Sequence, residues 1–298
     1  MGVLAWLAAL RPKTLPAAAV PVVVGSAHMA SLDLFSPVPA VAALVGALLL
    51  QVGTNLANDY YDHRKGADTP DRAGPVRATA AGLIAPHRVR NAAFATFGLA
   101  TVVGLYLVAV GGWPILVVGV AGILSGIAYT AGPRPLAYVG LGDVFVFVFF
   151  GPVAVLGTVY VQAPDAFGRT AVWMPGLFLG LAVGALATAI LVVNNLRDIP
   201  TDARAGKRTL AVRLGPRGSR IEYTAALTGA FLLALLAALR HGDAWLGLPL
   251  LALPLAVPPL RRVWAEHADR RALNPALGGT ARVLVAYGVL GALGMVLR

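Results

Sequence analysis

The chain has 298 residues, of which 58% are hydrophobic and only 12% are charged, and its mean hydropathy is +0.76. Because soluble domains carry about 25% charged residues, this composition excludes an ordinary soluble protein. The absence of cysteine excludes disulfides, thiol catalysis and thiolate metal sites.

Nine apolar runs follow one another along the chain, each near the roughly 20 residues that cross a bilayer. Lipid cannot satisfy open backbone groups, so we predict an all-α, polytopic membrane protein with nine transmembrane helices. Its first residues lack the basic start and cleavage site of a signal peptide. In the sixth run, Gly180 and Gly184 predict a close helix contact. The predicted spans are 15–32, 38–59, 91–110, 114–131, 139–161, 172–194, 222–240, 244–260 and 280–297.

The net charge of +11 is distributed unevenly over the loops. If the spans alternate, nearly all of the 24 Lys and Arg residues fall on the same side as the N-terminus. The positive-inside rule then predicts a cell inner (cytoplasmic) membrane protein with the N-terminus in the cytoplasm and the C-terminus outside. A surface that binds nucleic acid needs no such alternation, so the predicted partner is the lipid bilayer and not nucleic acid. The oligomeric state stays open.

Acidic residues, which are scarce in this chain, gather where the second span ends. Asn55, Asp59 and Asp62 are three or four residues apart and therefore share one face of a helix. Asn58 lies on the same face as Asp62. Asp68 and Asp71 follow in the loop, and Asp71 is expected to be a helix cap or a solvated charge.

A similar group ends the sixth span. Asn194, Asp198 and Asp202 are again four residues apart, and they share a face if the helix continues past Pro200. Further Lys or Arg, Gly and Thr residues follow both groups. We therefore predict one domain, 1–298, built from two similar four-helix units, roughly 1–138 and 139–260, plus a ninth helix.

Carboxylates at the edge of a membrane usually face a cavity and pair with cations. Mg²⁺ is typically held by one or two carboxylates together with substrate phosphates. The two groups therefore predict a Mg²⁺ site for a phosphate or diphosphate. Its predicted metal ligands are Asp59, Asp62, Asp68, Asp198 and Asp202. The predicted phosphate-binding side chains are Asn55, Asn58, Asn194, Asn195, Lys65, Arg72, Arg77, Lys207 and Arg208.

At these residues the chain resembles the UbiA superfamily of intramembrane prenyltransferases. The signature NDxxDxxxD of that superfamily starts here at Asn58, but Gly66 replaces its last Asp and Asp68 follows two residues later. The second signature, DxxxD, is complete from Asp198 to Asp202. The segments NDYYDHRKGAD and NNLRDIPTDARAGKRTLAVRLG resemble one branch, the 1,4-dihydroxy-2-naphthoate polyprenyltransferases of menaquinone biosynthesis (MenA type). This resemblance covers nearly the whole chain.

The resemblance implies nine helices around a central cavity that opens sideways to lipid, with cytoplasmic loops over it. It implies Mg²⁺, a polyprenyl diphosphate donor and an aromatic acceptor, 1,4-dihydroxy-2-naphthoate, which is prenylated with loss of CO₂ and diphosphate to give demethylmenaquinol. The catalytic residues would be Asp59, Asp62, Asp198 and Asp202, with Asp62 also a candidate base. Candidate partners of the acceptor carboxylate are Arg11, Lys13 and Arg134. Aromatic side chains that would shield an allylic cation are Tyr60, Tyr61, Tyr129, Phe147 and Phe150.

Two alternatives stay open from the sequence. The first is a UbiA-type transferase that acts on another acceptor, such as 4-hydroxybenzoate. The second is an ion-coupled transporter, because duplicated units and intramembrane acids are typical of transporters. The acids lie at the cytoplasmic ends of the spans beside basic loops, however, and this position favours phosphate binding.

Overall fold

The structure is a computed structural model that describes residues 2–68, 73–266 and 269–298. Asp71 and Arg72, for which the sequence makes predictions, lie outside the described residues. Within these residues the secondary structure is helical and contains no strand. Nine helical segments are numbered α1 (Val3–Ala30), α2 (Pro37–Arg64), α3 (Pro86–Gly111), α4 (Trp113–Ala128), α5 (Gly142–Gln162), α6 (Thr170–Arg204), α7 (Leu210–His241), α8 (Ala244–Trp264) and α9 (Arg270–Leu297).

The nine predicted spans are confirmed as helices over the described part of the chain. Eight are long and apolar enough to cross a membrane, whereas α4 is a shorter apolar helix of 16 residues. Helix α6 extends ten residues past its predicted end, because it continues through Pro200 to Arg204. Asn194, Asp198 and Asp202 therefore lie on one helix, as the site prediction requires.

Helices α2 and α6 end in the same way. Gly66 and Gly206 follow them with φ angles of 66° and 69°, in the left-handed region that favours glycine. The backbone N–H of Ala67 then donates to the Asp62 carbonyl at 2.9 Å, and that of Lys207 donates to the Asp202 carbonyl at 2.8 Å. The left-handed turn gives a physical reason for glycine at position 66, where the family signature has Asp.

Buried apolar side chains form two large clusters. One is drawn from α1 and α5–α9 and includes Val155, Leu186, Tyr223 and Leu284. The other joins the start of α1 to α2, α3 and α4. Helix α2 packs along α3, and α6 packs along α7. The proposed duplication of residues 1–138 in 139–260 stays a prediction, which superposition of the two halves would test.

The predicted close contact at Gly180 and Gly184 is confirmed, and α5 is the partner helix. A Cβ atom added at Gly184 would lie 2.5 Å from the Phe147 carbonyl oxygen, and one at Gly180 would lie 2.7 Å from Pro152 Cα. Gly151 on α5 faces them. The three glycines therefore let the two backbones approach where α5 makes a π-helical turn over Phe149–Val153.

Replacing Gly184 with Ala is expected to destabilise the folded protein by about 1–3 kcal/mol, because the new methyl group overlaps α5 backbone atoms. The matched control is Gly104→Ala on α3, where an added Cβ meets nothing within 4 Å. Thermal unfolding of both variants in one detergent checks this. Equal midpoints for the two would contradict the contact.

Candidate functional site

A cavity of about 450 Å³ lies between α1–α6. Its wall changes character along its length. Apolar side chains from α2–α5 include Leu50, Leu105, Val108, Ile123, Phe145, Phe149 and Phe150. Charged and amide side chains near the ends of α2 and α6 are Arg11, Asn55, Asn58, Asp62, Arg77, Asn194, Asn195 and Lys207. This arrangement suits a ligand with a charged head and an apolar tail.

The two carboxylate groups meet at Lys207. Its ammonium nitrogen lies 3.9 Å from Asp62 Oδ2 and 4.0 Å from Asp202 Oδ1, so it connects the end of α2 with the end of α6. The Arg77 guanidinium lies 3.6 Å from Asp62 Oδ2 and donates to Asp68 Oδ1 at 3.2 Å. Arg77 therefore links Asp68 to Asp62. Asp68 stays the candidate for the role of the signature Asp that Gly66 replaces.

Asp59 is buried, with 1% of its surface exposed. The backbone N–H groups of Ala78 and Thr79 lie close to its carboxylate, but neither carboxylate oxygen accepts a hydrogen bond of full geometry. The positive charge of Arg11 also acts on this carboxylate. Buried carboxylate oxygens normally have donors or a cation. These two oxygens can therefore accept a further partner, such as a divalent cation.

Asp198 has a different environment. Both of its oxygens accept from Arg197, at 2.8 Å from Nε and 2.7 Å from Nη2. The same guanidinium donates to Asn194 at 2.7 Å and to Asn274 on α9 at 2.8 Å. Asn274 in turn donates to the Ala73 carbonyl. Asp198 thus belongs to a buried network that joins α6, α9 and the segment after α2.

Arg197 is a residue that the sequence analysis missed. It is 1% exposed, although arginine is rarely buried in a membrane helix unless it is paired. The signal was present in the sequence, because the segment NNLRD places an arginine directly before the first Asp of the second signature.

Tyr138, in the loop between α4 and α5, was also missed. Its hydroxyl donates to Asp62 Oδ1 at 3.1 Å. Lys65 and Lys207 lie over its ring, with their nitrogens 4.8 and 5.5 Å from the ring centroid. Burial, and then the neighbouring Asp62 carboxylate, raise the pKa of the Tyr138 phenol. The phenol therefore stays protonated and serves as a donor.

The four predicted asparagines have different contacts. Asn55 lines the cavity, but its amide donates to the Leu10 carbonyl and to Thr14 Oγ1, each at 2.9 Å. It thereby holds the break at Arg11, which divides α1 into Val3–Leu10 and Leu15–Ala30 and has a left-handed φ of 51°. Asn58 accepts from Thr130 at 2.9 Å. Asn194 and Asn195 face the cavity from α6.

The other predicted residues are spread more widely. Tyr129 and Phe150 line the cavity, whereas Phe147 does not. Tyr60 and Tyr61 pack edge to face on one another outside it. Lys65 is exposed and donates to the Gly132 carbonyl at 3.0 Å. Lys13, Arg134 and Arg208 are exposed and do not line the cavity. The roles of all these residues stay predictions.

Metal binding can be judged from the donors present. In the part of the chain that the structure describes, no three carboxylates or histidines converge into a complete metal site. Mg²⁺ typically takes one or two protein carboxylates and completes its shell with water and substrate phosphates. The carboxylates around Lys207, together with Asp59, fit this partial shell.

Residues 18–277 match the UbiA prenyltransferase family. The 1,4-dihydroxy-2-naphthoate octaprenyltransferase of Escherichia coli K12 is 42% identical over 98% of this chain and 95% of its own length. The protein of the same name from Mycobacterium tuberculosis H37Rv is 42% identical over 97% of this chain and 96% of its own.

Solved structures with low sequence identity share the fold. The apo UbiA homologue of Aeropyrum pernix K1 has a TM-score of 0.69 at 14% identity and covers 91% of this chain and 96% of its own. A UbiA homologue of Archaeoglobus fulgidus, bound to DMAPP and Mg²⁺, has a TM-score of 0.59 at 17% identity. The alignment with it covers 97% of this chain and 99% of that one.

Proposed function

We propose a reaction from the premise that this chain belongs to the UbiA prenyltransferase family, which matches residues 18–277. The enzyme transfers a polyprenyl group from polyprenyl diphosphate to 1,4-dihydroxy-2-naphthoate, with Mg²⁺ as cofactor. The products are demethylmenaquinol, CO₂ and diphosphate, so the reaction belongs to menaquinone biosynthesis.

One observation carries the choice of acceptor. Two relatives named 1,4-dihydroxy-2-naphthoate octaprenyltransferase are each 42% identical to the chain over at least 97% of its length. The cavity supports the choice of donor, because it combines a charged end with apolar walls. The Archaeoglobus fulgidus homologue bound to DMAPP and Mg²⁺ supports the use of a divalent metal.

The charged end of the cavity would hold the diphosphate. Asp62 and Asp202 would hold Mg²⁺, with Asp59 and Asp68 as further candidate ligands. The bound metal supplies Lewis-acid stabilisation of the leaving diphosphate. Lys207 and Arg77, which already lie against these carboxylates, would donate to diphosphate oxygens as negative charge develops there. Asn58, Asn194 and Asn195 would orient the same group.

Bond changes occur at the boundary between the charged and apolar walls. The bond between the prenyl carbon and the diphosphate oxygen breaks, and its electrons stay with the diphosphate. The ring carbon that carries the carboxylate forms the new carbon–carbon bond. The carboxylate then leaves as CO₂ and its electron pair restores the aromatic ring, so no net proton is taken up or released.

The apolar wall has its own role in this scheme. Phe145 and Phe149 stack with their centroids 5.9 Å apart, and both line the cavity with Phe150. They would keep water from an electron-deficient prenyl carbon and face it with aromatic rings. Arg11 is the best placed of the three candidate partners of the acceptor carboxylate, because Lys13 and Arg134 do not line the cavity.

Purified protein is expected to form prenylated product from polyprenyl diphosphate and 1,4-dihydroxy-2-naphthoate, with one CO₂ per product, in Mg²⁺ and not in EDTA. 4-Hydroxybenzoate serves as the competing acceptor in a parallel reaction. Product from the benzoate alone would overturn the acceptor and leave the family unchanged. No product from either acceptor, in folded protein, would contradict the proposed function. Family membership favours the enzyme over an ion-coupled transporter.

The chain is a multi-pass membrane protein by its family and its apolar helices. We infer the inner (cytoplasmic) membrane, with the N-terminus in the cytoplasm, from the distribution of its basic loops. Labelling of the two termini in intact and permeabilised cells would decide this orientation.

A further inference from the structure

We propose that Tyr138 is a positioning residue that sets the Asp62 carboxylate and two lysines for the magnesium diphosphate. This inference rests on the proposed function, because it assigns a role within the same site. It is supported by the contacts of this one side chain with groups at the end of α2 and after the end of α6.

The hydroxyl of Tyr138 determines which oxygen of Asp62 is available. It donates to Oδ1 at 3.1 Å, whereas Arg77 and Lys207 approach Oδ2, at 3.6 and 3.9 Å. A carboxylate held at one oxygen cannot rotate freely about its last bond. Asp62 therefore presents Oδ2 to the cations while Oδ1 stays with the phenol. Without the hydroxyl, the two oxygens can exchange places.

The ring of Tyr138 performs a second task. Lys65 follows α2 and Lys207 follows α6, yet both ammonium groups lie within 5.5 Å of the ring centroid. An aromatic face attracts cations, and for Lys207 this attraction adds to its ion pairs with Asp62 and Asp202. The ring therefore keeps two like charges beside Asp62, where the proposed magnesium diphosphate would bind.

The backbone around Tyr138 is held from several directions. The Tyr138 carbonyl accepts from the backbone N–H of Arg208 at 3.1 Å. The next carbonyl, that of Val139, accepts from Arg213 at 2.8 Å. Lys65 donates to Gly132 in the same loop. This loop thus contacts the segments after α2 and after α6, which suits a side chain that sets groups on both.

The test compares Tyr138→Phe, which keeps the ring and removes the hydroxyl, with Tyr138→Leu, which removes both. Titration of the purified protein with inorganic diphosphate at fixed Mg²⁺ gives an affinity that does not depend on the acceptor or on turnover. Loss of a hydrogen bond to a charged group predicts about tenfold weaker binding for Tyr138→Phe. Loss of the ring predicts a further decrease of about threefold or more for Tyr138→Leu.

Kinetics and a control separate positioning from stability. Both variants should raise the KM for polyprenyl diphosphate and leave the KM for the aromatic acceptor unchanged. The matched control is Tyr160→Phe, which removes a hydrogen bond to the Gly111 carbonyl on the α3–α5 side of the bundle. It should bind magnesium diphosphate as the parent does. If Tyr138→Leu unfolds, Tyr138→Phe alone carries the test.

Three results would overturn the proposal. The first is a Tyr138→Phe variant that binds magnesium diphosphate as tightly as the parent. The second is an equal increase in both KM values. The third is a parent protein that binds no magnesium diphosphate, which would also contradict the proposed function. A parent that binds it but does not prenylate either acceptor would contradict only the function.

Discussion

Replacing Asp62 with Asn is expected to reduce kcat/KM by about a thousandfold, the loss seen when one preorganised electrostatic group is removed from an active site. Asp62 is the one predicted metal ligand that also lines the cavity, as judged over the described residues. Its Oδ2 has two cationic neighbours, Arg77 and Lys207. An amide retains the shape and still accepts from Tyr138, so the charge is the main property removed.

The measurement is prenyl transfer at saturating Mg²⁺, with folding checked by thermal unfolding in the same detergent. A matched control is Asp33→Asn, because Asp33 is exposed between α1 and α2. Its φ of 56° is left-handed, and asparagine tolerates that region as well as aspartate does. A folded Asp62→Asn enzyme whose kcat/KM lies within tenfold of the parent value would contradict the role of this carboxylate.

Replacing Arg197 with Met is expected to lower the free energy of unfolding by about 3–5 kcal/mol. The reason is that Asp198 then remains buried without the guanidinium that bonds both of its oxygens. Asn194 and Asn274 lose a donor at the same time. Equilibrium unfolding in mixed detergent micelles measures the change. The control Arg240→Met, at an exposed position of α7, should change it by no more than about 0.5 kcal/mol.

The double variant Arg197→Met with Asp198→Leu separates two roles of Asp198. Replacing a buried ion pair by apolar side chains is often neutral for stability, so the double variant should recover most of the loss. If Asp198 also holds metal, the stable double variant stays inactive. Turnover in that variant would remove Asp198 from the metal site and leave it a structural role. Unrecovered stability would instead contradict the ion pair as the source of the effect.

The carboxylates show what helical spacing predicts and what it does not. Spacings of three and four residues placed Asp59 and Asp62 near one face of α2, and this relation depends only on helix geometry. Asp62 lines the cavity, but Asp59 lies against the segment of Ala78 and Thr79. The two side chains therefore have different surroundings, because the packing of that segment on α2 decides which part of the face is covered.

The basic residues show that composition does not predict which Lys or Arg side chain contacts a carboxylate. Loops rich in Lys and Arg predicted cations near the carboxylates, and Lys207 and Arg77 lie there. Arg208 follows Lys207 directly, yet it is exposed. The difference arises from the left-handed turn at Gly206, after which Lys207 points to Asp62 and Asp202 while the Arg208 backbone binds the Tyr138 carbonyl. Such a turn is not visible in a charge count.

The sequence by itself determined the nine helices, the two carboxylate groups at the ends of α2 and α6, and the family, because apolar runs, helical spacing and signatures are local properties. Only the tertiary structure decided which partner each charge has. Tyr138 is 76 residues from Asp62, and Asn274 is 77 from Arg197. Contacts at such separations depend on how helices pack, and in a medium of low dielectric these contacts determine whether a carboxylate faces a cation, an arginine or the cavity.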